Sequence, residues 1–286
     1  MLPEIPQGEW SRAYAFRHGG RELVVRFNPL AGAFDPDVVA QRYASDHIPM
    51  PRLLEVGDVD GGCYAISERA FGDFLEDLPP HRMQATLPSI LDTLEALRRA
   101  DTSQTTGFGP WTKNGNGMFQ TWREYLLELE VGTPTEHLST WRDGLRLSQL
   151  GESTFLAGTA ELERLSRGCP DQRNLVHSDL INRNAFVSDG RIKALIDWQC
   201  AMYGDHLYDL AWLLFWAPWH PGLSAVDMRS PALERWAATG IDLTNADTRL
   251  RCYELHIGLR HLVYNAWRRD IKNLDATARR TLELLG

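Results

Sequence analysis

The sequence predicts an α+β chain in two lobes, a small β-rich N-terminal lobe and a larger helical C-terminal lobe. Three observations carry that reading. The first seventy residues fall into short runs of alternating apolar and polar positions, the pattern of half-buried strands. After Gly72 the apolar spacing becomes helical. Within the helical part, the stretch LVHSDLINRNAFVSDGRIKALIDW at 175–198 breaks that rhythm with two short apolar runs around an Asp-Gly pair.

The elements follow in order. Residues 12–16 and 22–27 read as strands joined at His18-Gly19-Gly20, a hairpin signal. Asp35 is the expected N-cap of a helix with Pro36 at its first position. That helix is expected to run to about Asp46 and to stop before Pro49-Met50-Pro51. Two more strands are expected near 53–56 and 63–69. Helices are expected at 87–100, 121–130, 140–150, 154–167, 207–216, 247–267 and 275–285. Residues 101–120 carry Gly107, Gly109, Gly115 and Gly117 and read as a surface excursion.

The stretch at 175–198 carries the chemistry. His177-x-Asp179-x-x-x-x-Asn184 is followed by strands 185–187 and 192–196 around the turn Asp189-Gly190, and then by Asp197. That is the order of groups in a kinase catalytic loop and its metal-binding segment. There an Asp accepts a hydroxyl proton, an Asn binds a metal, and a second Asp binds the metal bridging the nucleotide phosphates. A two-residue turn pairs Ser188 with Arg191 and Asn184 with Leu195, so Asn184 and Asp197 are expected on one face, a diagonal step apart. His177 reads as a brace for the loop. The bland alternative is a solvated loop followed by a structural hairpin. With the strand-rich start, the layout is a bilobal protein-kinase-like fold. Residues 1–70 would form the nucleotide-binding lobe, and 71–286 the catalytic and acceptor-binding lobe. The segment Glu68-Arg69-Ala70 would be the hinge, its backbone facing the adenine edge.

Composition narrows the class. The chain has 286 residues, a net charge of −8 and a pI near 5.6. That balance argues against nucleic-acid binding and suits a cationic small molecule. Cys63, Cys169, Cys200 and Cys252 show no zinc spacing and read as reduced thiols of a cytoplasmic protein. The start, MLPEIPQGEW, has neither the basic region nor the apolar core of a signal peptide. The longest apolar run, at 210–219, is about half of the ~20 residues a membrane span needs.

Several stretches resemble the aminoglycoside phosphotransferase family. They are GEWSRAYAF, SQTTGFGP at 103–110, TWREYL from Thr121, LVHSDLINRN, RIKALIDW, AMYGD from Ala201, and FWAPW at 215–219. Of these, SQTTGFGP and FWAPW resemble the hygromycin B branch. The resemblance implies a monomeric enzyme that moves the γ-phosphate of Mg²⁺-bound ATP, with GTP open, to a hydroxyl of an aminoglycoside. Hygromycin B or a relative is the implied acceptor, and antibiotic resistance the implied outcome. It implies Asp179 as catalytic base, with Asn184 and Asp197 as metal ligands. Arg26 falls where kinases place the phosphate-binding lysine, and its guanidinium can fork onto phosphate oxygens. Asp37 falls where kinases place the glutamate that orients that cation. Gly8-Glu9-Trp10-Ser11-Arg12 replaces a glycine-rich phosphate loop, with Ser11 and the backbone amides as phosphate contacts. Trp216 and Trp219 are helix core by default, but beside Pro218 an indole can wall the acceptor pocket. Ile181-Asn182-Arg183 departs from the branch, and Arg183 either repels an acceptor amine or holds a phosphate. Asp205 would brace the catalytic loop.

Two other functions compete. A metal-dependent hydrolase would use His177, Asp179, Asp197 and His206. A binding protein that sequesters an antibiotic would not need the intact Asp179, Asn184 and Asp197. A Ser-His-Asp hydrolase lacks its Gly-x-Ser-x-Gly signature.

Overall fold

A computed structural model describes residues 11–130 and 140–286. The segment at 8–10, expected to contact phosphate, lies outside these residues.

The N-terminal part is a four-stranded antiparallel sheet of β1 (Arg12–His18), β2 (Arg21–Asn28), β3 (Leu53–Val59) and β4 (Gly62–Glu68), in the order β1-β2-β4-β3. Gly19 and Gly20 both have positive φ, 55° and 76°, as a tight hairpin whose twist matches its strands requires. Ala13 and Ala65 flank Arg26 on the two neighbouring strands. α1 (Asp35–Ala40) continues into one 3₁₀ turn, Gln41–Tyr43. Its N-cap is Phe34 rather than Asp35, with no side-chain cap. It also ends before Asp46, because Ser45 and Ile48 exchange backbone hydrogen bonds and the Ser45 hydroxyl accepts the Ile48 N–H at 3.1 Å.

A second sheet ties the segment after β4 to the hairpin at 185–195. β5 (Asp73–Phe74) pairs with β9 (Ala185–Ser188), which pairs with β10 (Arg191–Leu195). A third sheet, in the order β7-β6-β11-β8, contains β6 (Phe108–Trp111), β7 (Gly117–Phe119), β8 (Asn174–Val176) and β11 (Met202–Gly204). Residues 101–120 are therefore more than a surface excursion. Their glycines allow close strand approach: a Cβ at Gly117 would lie 2.3 Å from the Phe108 nitrogen.

The rest is helical. α2 (Pro80–Arg99) begins seven residues before its expected start, with Pro80 in the first turn, where no N–H partner is needed. α3 (Trp122–Leu127) carries a full capping box between Thr121 and Glu124. α4 (Trp141–Leu145), α5 (Gly151–Ser166), α6 (Leu207–Trp216) and the short α7 (Pro221–Ser224) follow, then α8 (Arg229–Ala238), α9 (Ala246–Arg268) and α10 (Ile271–Glu283). α8 had no counterpart in the sequence reading. α9 is the central post, packed by α4, α5, α6 and α10. One continuous apolar cluster runs through this part and takes in Ala40 and Ile48 from the α1 region. The sheet end keeps a small core of its own, Phe34, Cys63 and Ala65. Among the described residues no helix is long and apolar enough to cross a membrane.

Candidate active site

The loop between β8 and β9 is pinned from below. Asp209, in the first turn of α6, accepts the His177 N–H at 2.9 Å and the Ser178 N–H at 2.7 Å. Ser178, Asn182, Arg183 and Asp197 all hold positive φ between 60° and 67°, costly for residues with a side chain. His177 is fully buried, and two bonds define its tautomer. Nδ1 accepts the Asp179 N–H at 3.3 Å, which leaves Nε2–H to donate to the Ile196 carbonyl at 3.1 Å. Burial lowers its pKa to about 4, so it stays neutral. It is a brace, as expected.

Asp179 is half-buried at the centre of the loop. Oδ1 accepts from the Asn182 amide at 2.7 Å and Oδ2 from the Asn184 amide at 2.8 Å. Burial raises its pKa well above the usual carboxylate range, and the nearby Asp197 charge adds to that; the two amides oppose it. With its nitrogen bonded to Asp179, Asn184 keeps its Oδ1 for another partner.

The hairpin register departs from the simple expectation. Ser188 does face Arg191, but Ala194 pairs with Phe186 and Leu195 with Ala185, so Lys193 forms a bulge. Two β10 amides are drawn outside the ladder, Ile192 to the Ser89 hydroxyl at 3.0 Å and Leu195 to the Pro49 carbonyl at 2.7 Å. Asn184 thus faces Ile196, whose N–H it accepts at 2.9 Å. The left-handed backbone at Asp197, φ 60°, then turns the chain out of the strand. Burial raises the Asp197 pKa, as does the Asp37 charge, while Arg26 lowers it.

Arg26 and Asp37 meet as the kinase pattern requires. Arg26 donates to Asp37 Oδ2 at 2.5 Å, and Asp37 Oδ1 accepts the Trp198 N–H at 3.2 Å. The shorter acid therefore reaches its cation and also ties α1 to the residue after Asp197. Strand β2, helix α1 and the metal segment are joined through one carboxylate.

The chain matches the phosphotransferase enzyme family over residues 2–255. It belongs to that family. It is 36% identical to hygromycin-B 4-O-kinase of Escherichia coli over 267 residues, 91% of this chain and 73% of that protein. The fold superposes with a TM-score of 0.85 on a thermostable mutant of aminoglycoside phosphotransferase APH(4)-Ia in ternary complex with AMP-PNP and hygromycin B. That pair shares 32% identity and covers 100% of this chain and 93% of the other. A spectinomycin phosphotransferase, APH(9)-Ia, shares the fold at a TM-score of 0.58 and 12% identity, over 99% of this chain and 88% of the other.

Other expected positions of this phosphotransferase are more qualified. Glu68 spends its amide on the Arg52 carbonyl at 3.0 Å, and Arg69 spends its own on Glu22 at 3.1 Å. The first hinge amide without a hydrogen bond among the described residues is that of Ala70. Ser11 immediately precedes β1, two residues before Ala13, the direct partner of Arg26. Trp216 is half-buried and Trp219 is 38% exposed, with ring centroids 5.2 Å apart at the end of α6. Neither is plain core. Arg183 is exposed, and its guanidinium lies 5.5 Å from the Phe74 ring centroid.

One assignment is corrected. Asp205 does not brace the catalytic loop; Asp209 does. Asp205 is fully buried and bonds both guanidinium arms of Arg249 at 2.7 Å, with Tyr253 O–H at 2.5 Å, which fastens α9 to the start of α6. Sequence reading also missed Glu76, whose Oε1 accepts the Arg183 N–H. The hydrolase alternative loses His177, whose Nε2 is bound to the Ile196 carbonyl at 3.1 Å. Among the described residues no three His, Cys, Asp or Glu cluster as a metal cage.

Proposed function

We propose that this phosphotransferase moves the γ-phosphoryl group of a magnesium-bound nucleotide to a hydroxyl of hygromycin B or a close relative. The observation that carries the proposal is the Asp179 carboxylate. It is held by two amides, lies within reach of the Asp197 charge, and leads into the segment joined to Arg26 through Asp37. Asp179 orients the acceptor hydroxyl and takes its proton. Arg26, steered by Asp37, lies against the phosphates. Asn184 Oδ1 and Asp197 would hold Mg²⁺. Two hard oxygen donors suit that ion, which usually takes one or two protein ligands plus phosphate oxygens and water. When bound, it neutralises the charge that develops between the phosphates. The like charges of Asp179 and Asp197 favour a cation there. ATP is the proposed donor. Residues 1–70 form the nucleotide lobe and 71–286 the acceptor lobe, and the enzyme acts as a cytoplasmic monomer.

The acceptor reading rests on the named relatives and on an acidic protein with a partly exposed indole pair at the end of α6. Expression in a sensitive bacterium tests it. Protection against hygromycin B, weak or absent against kanamycin, that vanishes with Asp179→Asn supports the proposal. No protection and no hygromycin-dependent nucleotide consumption rejects it. For the metal, Asp197→Ala is expected to abolish the Mg²⁺ dependence of nucleotide binding, and Asn184→Ala to weaken it less. Equal wild-type affinities with and without Mg²⁺ would remove the shared-ion assignment.

A further inference from the structure

Glu76 sits in the single 3₁₀ turn Leu75–Asp77, directly after β5. It is 8% exposed. One oxygen, Oε1, accepts the backbone N–H of Arg183 and so holds the left-handed pair Asn182 and Arg183 in place. The other, Oε2, is buried and has no hydrogen-bond partner among the described residues. A buried carboxylate oxygen without a donor is costly, by more than the ~1–3 kcal/mol of a neutral group. Such an atom points to a ligand that supplies the donor.

Three pieces of the molecule converge on it. The catalytic loop reaches it through Arg183, and its charge acts on the Asp179 carboxylate. α7 packs on the 3₁₀ turn from the other side. That approach is so close that a Cβ at Gly222 would lie 2.1 Å from the Leu78 carbonyl oxygen. It brings His220 near enough to act on Glu76, and His220 directly follows Trp219. Glu76 therefore lies beside the catalytic loop and within reach of the segment that follows Trp219. The Arg183 guanidinium lies over the Phe74 ring rather than on this carboxylate.

We propose that Oε2 of Glu76 receives an ammonium group of the acceptor and so turns the acceptor's hydroxyl toward Asp179. This rests on the aminoglycoside reading above and names the group that would select a cationic acceptor. A phosphate or a nucleotide would be repelled by the carboxylate. An ammonium gains a charge-assisted hydrogen bond in a site shielded from water.

The test uses the full chain with Glu76→Gln. Glutamine keeps an acceptor for the Arg183 N–H and loses the negative charge. Hygromycin B binding is measured by calorimetry, and initial rates by varying acceptor and nucleotide separately. The expected result is an acceptor Kd and KM raised about 10- to 100-fold, as loss of one charged hydrogen bond predicts. The nucleotide KM should stay within about twofold. Hygromycin B with acetylated amines should lose the same affinity on the wild type and lose nothing further on the variant. That arm stands even where Glu76→Gln folds poorly. An unchanged acceptor KM, a raised nucleotide KM alone, or a fall in kcat alone overturns the inference. The last would leave Glu76 as a brace for the loop. Wild-type protein that neither binds nor phosphorylates hygromycin B overturns the aminoglycoside reading and this inference together; normal wild-type binding with equal binding by the variant overturns this inference alone.

Discussion

Asp205 and Asp179 lie on either side of the same motif and are treated in opposite ways. Asp205 is saturated: two bonds from Arg249, one from Tyr253 and one from the Leu207 N–H at 3.1 Å. Its charge is spent on the fold. Among the described residues Asp179 receives only two neutral amides, and it is within reach of the Asp197 charge. Its charge is kept for what enters the site. The pairing of an acid, more than its burial, separates a structural aspartate from one proposed to react.

The contrast is broken most sharply by parallel substitutions. Asp179→Asn is expected to lower turnover by about 10²–10⁴-fold, the usual cost of losing a general base, while the melting temperature stays within a few degrees. Steady-state rates and calorimetry on the same sample check this, and retained turnover would dismiss the role. Asp205→Asn should do the reverse. It leaves Arg249 buried without a full counter-charge, a loss of about 3–5 kcal/mol of stability. The activity of the remaining folded fraction should be near normal. Urea unfolding gives the first quantity and active-site titration the second.

Much of this was legible in the sequence, and the reasons differ by element. The span Leu207–Trp216 was read correctly because its apolar face is continuous. The site order from His177 to Asp197 was legible because catalysis there demands fixed residue types at fixed spacing. The register inside it was not, because the Lys193 bulge depends on Ser89 and Pro49, which are distant in sequence. For the same reason the loop-bracing role is expected of Asp205 and found at Asp209. Both sit in Tyr203-Gly204-Asp205-His206-Leu207-Tyr208-Asp209, and only the position of Arg249 shows which one is consumed. The strands β6 and β7 were hidden by glycines that serve close packing as well as turns.

A smaller effect sharpens the nucleotide side. Arg26→Ala should raise the nucleotide KM by about 10-fold or more, and Arg26→Lys by less, since either cation reaches a phosphate but only guanidinium forks. Unchanged nucleotide kinetics in the alanine variant would confine Arg26 to its pair with Asp37.

The smallest effect concerns pH. His177 protonates near pH 6.5 when unfolded but only near about 4 when folded. The unfolded chain thus binds more protons in that window, so this residue contributes stability that is present above about 6.5 and is lost as pH falls toward 4. His206 and His261, also lowered to about 4 by burial, act with the same sign. Asp209, raised to about 6, and Glu254, raised to about 7, act against it. The difference in unfolding free energy between wild type and His177→Gln should therefore shrink between pH 6.5 and 4. A difference that stays constant across that range would contradict a buried neutral imidazole.

The most direct test of the account is product analysis. Purified protein is incubated with hygromycin B, ATP and Mg²⁺, and the antibiotic is examined by mass spectrometry and ³¹P NMR. The account predicts hygromycin B carrying one phosphate ester, formed in step with ADP, and no such product from Asp179→Asn. Unmodified hygromycin B after complete incubation with active, nucleotide-binding protein would contradict it.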